Sequence, residues 1–200
     1  PMAEAFRILI TNMNFMLPKK KGKVVFVTST VKGEGKTFVS VNLALTLASP
    51  SKKTIIIGSD IRNPQLQRYN TARKGLIGLT EYLNDENVKL EEIVHPSSFN
   101  KNLDVIYSGS IPPNPTDLLS NGKYEVLIET LKEKYDYIIL DTAPLMLVTD
   151  SFLISEVADI TLYVTRSKYT EKSLIDFANK VMDAGKIKNA AFILNDVDKD

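Results

Sequence analysis

The sequence predicts an α/β protein of the phosphate-loop class, with a mostly parallel sheet covered by helices on both faces. Three observations support this. Short runs rich in Val and Ile alternate with stretches of helical period along the chain. Those runs are continuously apolar instead of alternating, as strands buried on both faces require. A glycine-rich turn, "TSTVKGEGKT" at residues 28 to 37, links the first run to a helical stretch.

The elements follow in order. Residues 3 to 17, "AEAFRILITNMNFML", form an amphipathic helix with Phe6, Leu9, Met13 and Met16 near one face. "KKKGK", residues 19 to 23, leads into the strand "VVFVTST" and reads as a solvated linker, with a lipid-facing patch as the other reading. From Gly35 the stretch "GKTFVSVNLALTLAS" is helical, with Val39, Leu43 and Leu47 four apart. "TIIIGSD" is the second strand and "GLTEYLNDE" a short helix, and His95 lies in a loop before Pro96. "LDVIYSG" follows as a strand. "IPPNPTDLL" is a proline-stiffened turn into a helix around Tyr124 to Lys134. "YDYIILDTAP", "ITLYVTR" and "AAFILND" are three more strands, with helices near Ser151 to Val157 and Lys172 to Asp183. The 200 residues suit one domain, with residues 1–22 as helix and linker and residues 23–200 as the core.

Bulk properties exclude several classes. Net charge is +1, which gives no strong electrostatic case for a nucleic-acid or an acidic-membrane partner. There is no Cys, hence no disulfide framework and no thiolate metal site, as fits a reducing cytoplasm. One His leaves no histidine pair for catalysis or metal binding. No run approaches the roughly 20 apolar residues of a membrane helix. A start at Pro1 reads as a cut from a longer chain.

Sheets of this kind bind ligands beyond the carboxyl ends of their strands, so the polar strand ends are the places to look. "TSTVKGEGKT" matches the phosphate loop G-x-x-x-x-G-K-[ST] except for Thr30 at the first Gly. Gly33 and Gly35 let successive backbone N–H groups face an anion at the helix amino end. Lys36 then reaches the β- and γ-phosphates, and the Thr37 hydroxyl ligates Mg²⁺. A second apolar strand ends in Asp141, where phosphate-loop enzymes hold the metal's water shell or orient the attacking group.

The stretch "IIIGSDIR", together with "TSTVKGEGKT", "GSIPPNPTDLL" and "DTAPLMLVTD", resembles the bacterial tyrosine kinases that regulate capsule and exopolysaccharide export. That family carries three apolar residues followed by D-x-D-x-R, and it is related to the division-site and partition ATPases. The resemblance spans nearly the whole chain. It implies an ATP–Mg²⁺ domain that phosphorylates tyrosines in its own tail and on neighbouring copies. It also implies a membrane-embedded activator, fused or separate, and so a cytoplasmic location at the inner face of the cell membrane. A tyrosine phosphatase is the expected antagonist.

Carried over by position, Lys36, Asp60, Arg62 and Asp141 are the catalytic set, and Thr37, Asp60 and Asp141 hold the metal. Val31, Lys32, Gly33, Glu34, Gly35, Lys36, Thr37 and Phe38 form the nucleotide loop. Asn195 stands where related ATPases place an Asn against adenine, and a turn-forming role is the other reading of it.

Three departures stand out. Gly58 replaces the first Asp of the extra motif, which is thought to accept the tyrosine hydroxyl proton. Its loss leaves a slowed kinase or a nucleotide-binding pseudokinase scaffold, because general-base help contributes about 10²–10⁴-fold. In "EAFRILI", Ile10 replaces the second Arg of the E-x-x-R-x-x-R pattern that links subunits into a ring, which weakens the expectation of a ring-forming homo-oligomer. The tyrosines form no cluster; Tyr69, Tyr82 and Tyr169 are the accessible candidates, while Tyr135, Tyr137 and Tyr163 belong to the core. A partition-type switch ATPase is the further alternative. Those proteins carry a signature Lys at the position of Val31, and Lys32 beside it points elsewhere in a regular loop.

Overall fold

The apolar runs become strands because both their faces are covered. The computed structural model describes residues 2–33, 35–69, 75–145, 150–166, 172–185, 187 and 189–195. Its strands are β1 (Lys23–Ser29), β2 (Thr54–Gly58), β3 (His95–Pro96), β4 (Leu103–Ile106), β5 (Tyr137–Asp141), β6 (Ile160–Arg166) and β7 (Ala190–Asn195). Its helices are α1 (Met2–Met16), α2 (Lys36–Leu47), α3 (Leu79–Asn84), α4 (Leu90–Ile93), α5 (Pro115–Ser120), α6 (Lys123–Lys132), α7 (Asp150–Ser155) and α8 (Lys172–Asp183).

The sheet runs β3-β4-β2-β5-β1-β6-β7, and every pairing is parallel except β3 with β4. The mostly parallel α/β class expected from the sequence is what forms. Alternate residues of each strand serve opposite core layers. Val24, Phe26, Ile55, Ile57, Ile138 and Leu140 pack with Leu127 and Leu131 of α6. Val25, Val27, Ile56 and Ile139 pack with Val39, Leu43 and Leu47 of α2 and with Met13 of α1. The register sets Val27 and Gly58 on either side of Asp141, so three strand ends meet at one level.

The structure differs from the sequence reading in several places, among them the short helix α4, which that reading did not contain. On α1 the inward face is Phe6, Leu9, Ile10 and Met13, with Leu17 just beyond; Met16 is 42% exposed. The helix turns about 100° per residue, so Leu17 continues the Phe6–Met13 stripe and Met16 falls beside it. His95 is part of a two-residue edge strand and not of a loop, and the following Pro is tolerated because an edge strand leaves N–H groups unpaired. "IPPNPTDLL" contains a helix of its own, α5, with Pro at its first position and Leu118 and Leu119 buried. A 3-10 turn at Leu66–Tyr69 was not foreseen at all.

Candidate active site

The site grows from the turn between β1 and α2. Ser29 donates to the Val31 carbonyl (2.9 Å), which starts the turn within the strand end. Gly33 and Gly35 take φ of +86° and +87°, values that L side chains resist, so the loop curls only because these two are glycines. Thr30, standing where the usual pattern has Gly, shares a 2.6 Å hydrogen bond with the buried Tyr163 hydroxyl and ties the loop to β6. Arg166 at the end of β6 donates to the Gly33 carbonyl (3.3 Å). No side chain caps α2 at Gly35, so its first N–H groups face the cleft with the positive end of the helix.

Asp141 is the hub. Its Oδ2 accepts from the Thr37 hydroxyl (2.8 Å), and its Oδ1 accepts from Ser40 (3.2 Å) and lies 3.7 Å from Lys36 Nζ. Both Lys36 and Asp141 are buried, which strengthens their attraction over that of a surface pair. Ser40 also donates to the Lys36 carbonyl (2.8 Å), fixing the first turn of α2 beneath the carboxylate. Sequence reading missed Ser40. Its position one turn after Lys36 is the signal that could have found it.

Asp60 sits beyond the end of β2, buried, with Oδ1 accepting the backbone N–H groups of Arg62 (3.2 Å) and Asn63 (2.9 Å). Burial raises its pKa above the ordinary carboxylate value, opposed by those N–H groups and by the Lys36 charge. The Ser59 hydroxyl shares a 2.7 Å bond with the buried Tyr124 hydroxyl, and the Ser59 N–H donates to the Asp141 carbonyl (2.8 Å). The turn carrying Asp60 is therefore pinned on both sides.

Gly58 lies opposite Asp141 in the β2–β5 register. A Cβ placed on it would meet Ser108 Oγ at 2.6 Å. That hydroxyl donates to the Gly58 carbonyl (2.6 Å), so Ser108 fills the space that a side chain at 58 would enter.

A cleft of about 510 Å³ opens over these groups, and Lys32, Gly33, Gly35, Lys36, Thr37, Phe38 and Asp60 contribute to its lining. Lys32 is thus among the residues that border the cleft. The opposite wall is Asn63, Gln65, Arg68 and Pro144, none of which sequence reading had singled out. Arg62 is exposed and does not line the cleft; its Nη2 donates to Thr116 Oγ1 of α5 (3.0 Å). Glu34, Tyr169 and the Asn195 side chain fall outside the described residues. Tyr69 is partly exposed, and its pKa is raised by burial and then by the Asp141 charge.

A family model described as an AAA domain matches residues 22–193. Tyrosine-protein kinase CpsD of Streptococcus agalactiae serotype III (strain NEM316) is 36% identical over 196 residues, which cover 98% of this chain and 83% of that protein. The chain belongs to the bacterial tyrosine-protein kinase family. Tyrosine-protein kinase ptk of Acinetobacter johnsonii is 32% identical over 98% of the chain, which spans only 26% of that longer protein. Among solved structures, the kinase domain of Escherichia coli tyrosine kinase ETK superposes with a TM-score of 0.89 at 28% identity, over 99% of this chain and 76% of that one. The septum site-determining protein MinD of Pyrococcus horikoshii, complexed with Mg-ADP, has a TM-score of 0.69 at 23% identity over 86% of this chain and 69% of that one, and shares the fold.

Proposed function

We propose that this chain is an ATP-dependent protein-tyrosine kinase domain acting on tyrosines of a tail and of neighbouring copies. The convergence of Lys36, Thr37 and Ser40 on Asp141, with Asp60 on the next strand and an uncapped helix start above them, supports this most directly.

The residues fit a magnesium nucleotide. Two left-handed glycines shape an N–H cradle for phosphates, and the Lys36 ammonium, 3.7 Å from Asp141, borders the same cleft. Among the described residues no group of three or more His, Cys, Asp or Glu could hold a metal by itself. That matches Mg²⁺, which is commonly held by one or two carboxylates together with substrate phosphates. When bound, ATP with Mg²⁺ supplies the transferable phosphoryl group and neutralises charge on its oxygens. The α2 N–H groups and Lys36 hold the phosphates, while Thr37, Asp60 and Asp141 hold the metal. Asp141 already carries Thr37, Ser40 and Lys36. With Gly58 supplying no base, Asp60 or Asp141 is left to accept the tyrosine proton, and a carboxylate bound to the metal is a poorer base for it.

Regulation of capsule or exopolysaccharide assembly is part of the same proposal, with a membrane-embedded activator and a cytoplasmic site of action at the inner membrane face. The greater length of the Acinetobacter relative supports a fused partner module. No helix among the described residues is long and apolar enough to cross a membrane. Assembly into a ring has less support. The Glu4–Arg7 pair (3.2 Å) is exposed, but Ile10 packs inward against the core where an Arg would have to reach outward.

The test is Mg²⁺-ATP phosphoryl transfer to a tyrosine-bearing tail peptide, compared with Lys36→Met and with Gly58→Asp/Ser108→Ala. Phosphotyrosine from the chain as it stands, lost in Lys36→Met, supports the kinase. Nucleotide binding with phosphotyrosine only in the double variant leaves a nucleotide-binding scaffold, the second reading, which Gly58 favours.

A further inference from the structure

We propose that the amino-terminal end of the sheet, opposite the cleft, is a docking surface for an anionic phospholipid bilayer. Three turns meet there. Residues 17–23 carry Lys19, Lys20, Lys21 and Lys23; residues 48–53 carry Lys52 and Lys53; residues 97–102 carry Lys101. These turns hold seven lysines and no carboxylate, and six of the seven are exposed. The whole chain, by contrast, is nearly neutral at +1.

Hydrogen bonds weld the turns into one surface. Asn100 Nδ2 donates to the carbonyls of Leu45 (3.1 Å) and Ala48 (3.0 Å), joining the third turn to the second. Asp136 accepts from the Lys53 N–H (2.9 Å) on its carboxylate and from the Lys23 N–H (2.9 Å) on its carbonyl, joining the second to the first. The carboxylates bordering the surface are largely engaged. Asp159 accepts from the Val24 N–H (2.8 Å) and pairs with Lys20 (3.0 Å), and Glu129 pairs with Lys132 (2.7 Å). Glu133 and Lys134, both exposed, offset each other.

Two aromatic side chains stand out of the same end. Phe15, on the last turn of α1, is 85% exposed, and Phe99, in the third turn, is 72% exposed. Asn14 beside Phe15 accepts from the Tyr137 hydroxyl at the start of β5 (2.9 Å), which sets the end of α1 at this level. Exposed aromatics among basic side chains are the combination that a headgroup layer accepts, with rings entering the interface and ammonium groups meeting lipid phosphates. The three turns contain no arginine, the residue suited to bidentate phosphate and base recognition, so a diffuse anionic surface fits better than a nucleic acid. Bound this way, the cleft faces away from the bilayer.

The test is flotation of the chain with vesicles of equal parts phosphatidylglycerol and phosphatidylcholine, against phosphatidylcholine alone, with double-stranded DNA as competitor. The expected result is binding to the anionic vesicles only, weakened by added salt. Each exposed lysine near the surface is worth about fivefold, so Lys52→Gln/Lys53→Gln/Lys101→Gln lowers affinity about a hundredfold. Phe15→Ser and Phe99→Ser each lower it about tenfold without changing the salt slope. All five positions are exposed, and circular dichroism checks that the variants fold. Equal binding to neutral vesicles, undiminished binding of the lysine variant, or capture of the DNA without vesicle binding overturns the proposal.

Discussion

The two ends of the same parallel sheet handle charge in opposite ways. At the carboxyl ends of β1, β2 and β5 the charges at the floor of the cleft, Lys36, Asp60 and Asp141, are buried and fastened by Thr37, Ser40 and two turn N–H groups, with Lys32, Arg62 and Arg68 exposed around them. At the amino ends, exposed lysines on three turns carry no carboxylate among them. Buried charges act at short range in a low dielectric and barely feel salt, whereas exposed ones act through their sum and are screened beyond about 10 Å at 0.1 M. One end is built for geometry, the other for attraction.

That contrast can be broken most sharply at Lys36. Lys36→Met is expected to lower phosphoryl transfer by about 10²–10³-fold or more, the usual cost of removing a charge aimed at a transition state, while vesicle binding stays unchanged. Loss of both functions together would mean that the two ends are not independent.

Asp60→Asn comes next. It is expected to weaken metal–nucleotide binding and cut turnover about a hundredfold, while stabilising the ligand-free domain at neutral pH. The sign follows from burial, which raises the folded pKa above the unfolded value near 3.8. The folded chain then holds the extra proton in that window, and stability falls as pH rises through it. Thermal melts across acid to neutral pH should show this slope in the parent and a flatter curve in the variant.

A smaller effect is expected from Gly58→Asp alone. The new Cβ meets Ser108 Oγ at 2.6 Å, so overpacking should cost about 1–3 kcal/mol in denaturant unfolding. Adding Ser108→Ala should recover most of it. Equal stability of the single and double variants would show that the turn gives way elsewhere. Smallest is Tyr124→Phe, which removes a partner from the buried Ser59 hydroxyl and should cost about 1 kcal/mol, with any change in turnover appearing through the metal site that Ser59 adjoins.

Much of the site is readable from the chain because it is local. A strand, two glycines, Lys36, Thr37 and a helix start lie within ten residues, and backbone sterics dictate what they form. The strands were legible because continuous apolar runs have no other soluble home. The far wall of the cleft was not, since Asn63 and Gln65 lie on irregular chain and Arg68 on a 3-10 turn, none with a periodic signal. Met16 and His95 were misplaced for a similar reason: one residue along a helix, or one edge pairing, changes a face without changing the pattern.

The sequence by itself determined the α/β alternation, the phosphate loop and the two strand-end aspartates, all consequences of local backbone and burial preferences. Tertiary structure alone decided that Thr30 meets Tyr163 across 133 residues, that Ser108 closes the space at Gly58, and that three lysine-bearing turns share one surface. Those outcomes depend on strand order. Order is settled by which buried faces fit together, a property of the whole chain that no stretch of it encodes.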